Sequence, residues 1–240
     1  MGKAFEVPRL IGLLALLAGF MSFSATVAQA EPGAYWEVGG TQIKDKTLLP
    51  EINIAGAGNI VVLTKIGLST IEYDCAVVKS LNGLLHELGR FTSKIHFENC
   101  ITKLNKSIVP KCTPHSPGAP EGFIETEPLE GLLKLHVLSK EPLVDDDVFE
   151  LLPVNAEMHF VTLELGTGGC SIANNISMTG TIFLKDSKNK LLENQIERLF
   201  EEFKPLTKFL FGGNPMTIDG SFWAFLQGPH TNQLWSGHPA

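Results

Sequence analysis

Two runs of alternating residues on either side of a glycine-rich break constrain this chain more than any other stretch. Val161, Leu163 and Leu165 alternate with Thr162 and Glu164. Beyond Gly166-Thr167-Gly168-Gly169, the series Ile172, Asn174, Ile176, Met178, Gly180, Ile182 and Leu184 alternates with Ser171, Ala173, Asn175, Ser177, Thr179, Thr181 and Phe183. A period of two marks a strand with one buried and one solvated face. The glycines supply the positive φ that a tight turn needs. Met158–Leu184 is therefore expected to be a β-hairpin with Cys170 at the start of its second strand.

The amino-terminal 30 residues follow a different rule. Lys3 and Arg9 precede an apolar run from Leu10 to Ala25, and Ala28-Gln29-Ala30 before Glu31 has the small-x-small form of a signal-peptidase site. The run is shorter than the roughly 20 apolar residues that cross a bilayer. Residues 1–30 are expected to be a signal peptide cut after Ala30, leaving residues 31–240 as a single secreted β domain with no stable membrane anchor. Removing Lys3, Arg9 and Glu6 with the leader leaves 17 basic and 25 acidic residues, a net charge of −8. That balance repels phosphate backbones and anionic lipid surfaces, and argues against nucleic acid as a partner.

Shorter strands are expected on both sides of the hairpin. Tyr35–Val38 opens the domain, and Leu48–Ile54, broken by Pro50, is at best an edge strand. Ile60–Ile66, Leu68–Val78 and Phe91–Asn99 follow, with Lys79–Arg90 as a connection. Pro110, Pro114, Pro117 and Pro120 mark an irregular loop carrying Cys112 and His115. Phe123–Thr126 and Leu129–Leu138 come next, then a polar linker, Lys140–Pro153. Leu192, Ile196, Leu199 and Phe203 recur at helical spacing among acidic residues, so Lys188–Lys204 is expected to be an amphipathic helix stopped by Pro205. Thr207–Phe211 and Met216–Leu226 are the last strands, and residues 227–240 a mobile tail. Gly131, Gly180 and Gly220 each fall on the apolar parity of a strand, which marks a bulge or a close backbone approach. The expected fold is mainly β: an antiparallel β-sandwich or flattened barrel with one helix near the C-terminal third.

Cys75, Cys100, Cys112 and Cys170 are even in number and spaced 25, 12 and 58 residues apart, without a CxxC pair, which favours disulfides over zinc. Cys75 shares the parity of Ile71, Tyr73 and Val77, and Cys170 that of Ile172, Ile176 and Met178. Both are expected to point inward, giving Cys75–Cys170. Cys100, at a strand end, would then clamp Cys112. The rival pairing, Cys75–Cys100 with Cys112–Cys170, holds if Leu68–Val78 and Phe91–Asn99 pair directly as a hairpin.

Several stretches together resemble a group of exported bacterial proteins of unknown function. They are Tyr35-Trp36-Glu37-Val38-Gly39-Gly40-Thr41, Ser116-Pro117-Gly118-Ala119-Pro120-Glu121-Gly122, Thr126-Glu127-Pro128-Leu129-Glu130-Gly131, Gly169-Cys170, and Phe211-Gly212-Gly213-Asn214-Pro215 with Asp219-Gly220. The resemblance implies a secreted, mostly β protein with paired cysteines, and no activity.

Reactive motifs are weak. His86-Glu87 has Arg90 where a zinc protease helix needs its second His. Asp145-Asp146-Asp147 lacks the glycine and glutamate of a calcium loop. Glu125, Glu127 and Glu130 contain a same-face carboxylate pair of the kind glycosidases use, and His96, His136 and His159 bind a metal only if their strands are neighbours. The expectation is a non-enzymatic module, binding or structural, without cofactor and with unknown partner. Trp223, Phe225 and Trp235 are candidates for a contact patch. The alternative is a secreted hydrolase using paired carboxylates or a metal held by His and Asp.

Overall fold

The structure, a computed structural model, describes residues 33–44, 50–56, 58–140, 143–155, 159–166, 170, 172, 175–186, 195–199 and 208–240; within its strands the side chains of 136–140, 143–147, 186, 195–199 and 208 are outside the description. The proposed leader and its cleavage residues Ala28, Ala30 and Glu31 lie outside the described residues.

Eighteen strands occur among the described residues. The first seven are β1 (Tyr35–Val38), β2 (Thr41–Gln42), β3 (Glu51–Gly56), β4 (Ile60–Ile66), β5 (Ser69–Leu85), β6 (Arg90–Leu104) and β7 (Ser107–Ile108). Next come β8 (Pro114–His115), β9 (Ile124–Glu125), β10 (Leu129–Lys140), β11 (Leu143–Pro153), β12 (Val161–Leu165) and β13 (Ile176–Asp186). The last are β14 (Gln195–Leu199), β15 (Lys208–Phe211), β16 (Asn214–Asp219), β17 (Ser221–Leu226) and β18 (Trp235–His238). Single 3-10 turns sit at Pro110–Cys112 and Gly228–His230.

The fold is a closed antiparallel barrel with extra strands. β5 and β6 pair from Ile71 opposite Leu104 to Leu85 opposite Phe91. From β6 the ring continues through β10, β11, β13, β14, β17 and β3 back to β5, eight strands in all. Closure leaves none of these strands as a free edge. The long strands outrun the ring. On the edge where the second half of β5 meets β3, its first half, Ser69–Cys75, meets β4. β4, β16 and β15 then form a second arc that rejoins β13 at Met178–Thr181. Across from that arc, β9 pairs with β6 and β12 pairs with β13. The Glu127 amide donates to the Phe160 carbonyl at 3.0 Å, joining the segments between them. The result is two barrel halves that share β5, β6 and β13 as common walls.

One hydrophobic core runs through both halves. Its upper part holds Ile60, Tyr73, Met178, Phe209 and Ile218 around a void of about 30 Å³, and its lower part Ile52, Leu85, Phe91, Phe149 and Phe222 around one of about 20 Å³. The small sheet β18-β1-β2 packs on the lower part. There Trp36 and Trp235 are both 1% exposed, with ring centroids 5.8 Å apart, and Trp36 donates from Nε1 to the Arg90 carbonyl at 2.7 Å. No helix among the described residues is long and apolar enough to cross a membrane.

The β12–β13 hairpin is present, but its second strand starts at Ile176 and leaves Cys170 in the connection and not at the strand's start. β12 buries Val161, Leu163 and Leu165, and β13 buries Ile176, Met178, Ile182 and Leu184. Several other expectations are corrected. Of the expected helix Lys188–Lys204, Gln195–Leu199 is instead a strand, held on one edge by β17 and on the other by β13, and the remainder lies outside the described residues. Ladder bonds on both edges outweigh an apolar helical spacing. Lys79–Arg90 is no connection for most of its length, because β5 continues to Leu85. Lys140–Pro153 is no linker, since β11 pairs with β10 throughout. β3 is interior, between β17 and β5, and not an edge. Residues 227–240, expected to be a mobile tail, end in β18, which pairs with β1 and buries Trp235 and Ser236.

The disulfides are Cys75–Cys100 and Cys112–Cys170, not Cys75–Cys170 and Cys100–Cys112. β5 and β6 pair directly and put Cys75 opposite Cys100. The Cys100 amide donates to Gly122 on the far side, so this is a non-hydrogen-bonded pair, the type whose side chains lie closest. The Cys112 carbonyl accepts a short hydrogen bond from the Thr102 hydroxyl, and Gly166 donates to Thr113 at 3.0 Å, which brings the proline-rich loop to the β12–β13 connection that carries Cys170.

Candidate functional site

The proline-rich loop walls a mostly polar groove of about 390 Å³. Ser116-Pro117-Gly118-Ala119 is a turn closed by the Ala119 amide on the Ser116 carbonyl at 2.9 Å. Proline pre-sets the second position, and Gly118 takes the positive φ (+78°) that the third requires. Ser116 also fastens the loop to β9. Its amide donates to the Phe123 carbonyl at 2.9 Å, and its hydroxyl donates to the Glu125 carbonyl (3.1 Å) and accepts from the Glu125 amide (2.8 Å). Thr126 fixes the next residue by exchanging bonds with the backbone of Ile95, through its amide (2.9 Å) and its hydroxyl (3.0 Å).

Lys94, Glu125, Glu127 and Thr162 complete the lining. The Lys94 ammonium lies 2.7 Å from Glu125 Oε1. That hydrogen bond, helped by the charges of Glu125 and Glu127 and opposed by burial, holds the lysine pKa above its ordinary value. Glu127 and Thr162 contribute a carboxylate and a hydroxyl without a side-chain partner among the described residues. The groove thus presents one neutralised ion pair and one open hydroxyl on strands β6, β9 and β12, and one open carboxylate on the segment that follows β9. Such a surface can accept and donate hydrogen bonds to a polar ligand. It is poorly arranged for two-carboxylate catalysis, because Glu125 is committed to Lys94.

Of the three glutamates marked in the sequence, the structure brings Glu125 and Glu127 into one groove and separates Glu130. The Glu130 carboxylate is 6% exposed and forms a tight ion pair with Arg90 near the lower core. His96 packs on Phe123 at 5.2 Å with Nε2 3.3 Å from Glu98, His159 is exposed beside β12, and the His136 side chain is outside the description. His86 bonds to the Thr92 hydroxyl at 2.7 Å, and burial together with Arg90 lowers its pKa. His115, buried, has Nε2 3.3 Å from Glu164 across the β8–β12 pair. Asp145–Asp147 lie within β11, their side chains undescribed. Among the described residues no three His, Cys, Asp or Glu side chains gather at metal-binding distance. Trp235 is buried, Trp223 is 37% exposed on β17, and Phe225 is half-buried two positions on.

Lys94 and Ser116 are the site residues that sequence reasoning missed. The Ser-Pro-Gly turn was a signal for Ser116. Nothing in the sequence ties Lys94 to Glu125, since their meeting depends on the pairing of β6 with β9. No protein family, curated protein or solved structure matches this chain.

Proposed function

We propose that the chain is an exported, non-enzymatic β module that binds a polar partner, of the envelope or extracellular space, in the groove between the Ser116 turn and Glu125–Glu127. The single observation that carries this reading is the state of the groove's carboxylates: Glu125 is already paired with Lys94, and the turn facing it is pinned by Ser116. The preformed cleft favours binding without rearrangement. Export is supported by the apolar leader and by two disulfides, which persist in oxidising compartments.

The test is a titration of neutral oligosaccharides and short peptides, followed by amide NMR, with parallel turnover assays. The expected result is shifts clustered at residues 116–127 without turnover, and weaker binding by Glu127→Gln. Turnover of a polysaccharide, peptide or ester that Glu127→Gln abolishes would overturn the reading. It would favour the second one, a secreted hydrolase with paired carboxylates, whose one supporting fact is that Glu125 and Glu127 line the same groove.

A further inference from the structure

At the end of the upper barrel half, two hairpin turns project side by side. One is Ile66-Gly67-Leu68-Ser69 between β4 and β5, with Gly67 at φ +60°. The other is Leu104-Asn105-Lys106-Ser107 between β6 and β7. They are locked together by Thr70 and Asn105: the Thr70 amide donates to the Asn105 side chain (2.9 Å), and the Asn105 amide donates to the Thr70 carbonyl (2.8 Å).

These turns carry apolar side chains where a hairpin tip is ordinarily polar. Leu68 is fully exposed, Ile108 is 59% exposed and Ile66 40%. Lys65 adjoins Ile66, Lys106 lies in the second turn and Lys111 follows Ile108 in the 3-10 turn, all exposed and without an acidic partner among the described residues. Lys106 is held at φ +70°, following Asn105 at +49°, a position where glycine is the usual residue. The tip contains no acid. Asp and Glu are missing from residues 59–71 and 99–120, and also from 203–218, which contains the neighbouring β15–β16 turn. In a chain whose formal net charge is −7, this end is locally basic.

We infer that this end of the barrel is a docking tip for an anionic phospholipid surface, into which Leu68, Ile66 and Ile108 insert while Lys65, Lys106 and Lys111 meet the headgroup phosphates. Two features favour a bilayer over a protein partner. The apolar residues sit on convex turns, not on a flat or grooved face. The cations beside them are all lysines, which protein–protein interfaces deplete and anionic membrane surfaces attract. The net negative charge does not oppose this contact, because at physiological ionic strength charges beyond about 8 Å are screened. The contact is peripheral and reversible, of the kind in which a few apolar groups and a few cations act together. It uses a surface separate from the polar groove and does not depend on that site's ligand.

The test is vesicle sedimentation with the chain from Glu31 onward, which contains every contact described above. Vesicles of phosphatidylcholine mixed with phosphatidylglycerol are compared with phosphatidylcholine alone. The expected result is binding to the mixed vesicles, weakened by salt, and little binding to the neutral ones. Leu68→Glu should lower the partition coefficient at least about tenfold, and Lys65→Gln with Lys106→Gln by roughly thirtyfold. Unchanged melting temperatures show that these exposed substitutions leave the fold intact. The inference is overturned by failure to bind mixed vesicles, by equal binding to neutral ones, or by either variant binding as the parent does. Association with an acidic protein, or with a second copy of the chain, in the absence of vesicle binding would also overturn it.

Discussion

Cys75 faces Cys100 across the β5–β6 ladder with Cα atoms 4.0 Å apart, so this bridge joins two strands that already pair along nearly all their length. Cys112–Cys170 does different work. It fastens a loop with little regular pairing to the β12–β13 connection of the central hairpin, across 58 residues of chain. A non-reduced peptide map should show fragments joining Cys75 to Cys100 and Cys112 to Cys170. In the chain-entropy view, Ser replacements of the first pair cost about 3.5 kcal/mol and of the second about 4 kcal/mol, read by urea unfolding. Loss of the second should also broaden the amide resonances of residues 114–122.

Gly131 lies under the ring of Phe149. A Cβ built there would fall 2.1 Å from the ring's Cζ. Gly131→Ala is therefore expected to destabilise by about 1–3 kcal/mol through overpacking. Adding Phe149→Leu should recover part of that loss. Full additivity of the two changes in denaturant unfolding would show that the ring and the glycine are not coupled.

Strand parity matches the buried faces of β12 and β13 but not the cysteine pairing, for a reason visible in β5 and β6. β5 buries Ile71, Tyr73 and Cys75, then changes parity and buries Val78; β6 buries Phe91, Ser93 and Ile95, then Cys100 and Thr102. Asn99 sits at the change with φ +55°. The flip falls where β5 passes from its contact with β4 to its contact with β3, so one strand turns opposite faces to the two halves of the core. Alternation in the sequence reports one neighbour at a time and cannot announce a change of neighbour. The three strand glycines were better markers. Gly131 is a close approach, while Gly180 and Gly220 take φ +113° and +124° where β13 and the β16–β17 run pass from one arc to the other. The groove was half legible, since the i, i+2 spacing marked Glu125 and Glu127 as a same-face pair and both line it. Lys94 reaches Glu125 only through tertiary pairing.

Tyr73 is 1% exposed, beside the upper void, and its hydroxyl has no hydrogen-bond partner among the described residues. Burial pushes its pKa far above the ordinary phenol value of 10.0. The neutral form is thus the one the fold accepts. Its contribution is complete below pH 10 and falls as pH rises beyond that, because the unfolded chain ionises first. Tyr73→Phe should be neutral or mildly stabilising at pH 7. It should also make the alkaline loss of stability above about pH 10 less steep. Thermal melts across that range, parent against variant, provide the measurement.

Arg90 and Glu130 form an ion pair in which the carboxylate is buried and the guanidinium is partly exposed. Arg90→Met leaves that carboxylate without its partner and should cost about 2 kcal/mol, less than for a fully buried pair because Arg90 reaches solvent. Arg90→Met together with Glu130→Leu should be more stable than Arg90→Met alone. If the double variant is the less stable one in urea, the pair contributes more than charge balance.

β1 and β18 run antiparallel with Tyr35 opposite His238, and Gly33 comes alongside Ala240. Tension applied between residues 33 and 240 would load the rungs of that small sheet one after another, as a zipper opens, and not all together as in a shear joint. The sheet should therefore yield at low force and withdraw Trp36 and Trp235 from the lower barrel while the ring is still closed. A tether at these two points would report on the seal of the barrel, whereas one placed across β5 and β6 would report on its wall.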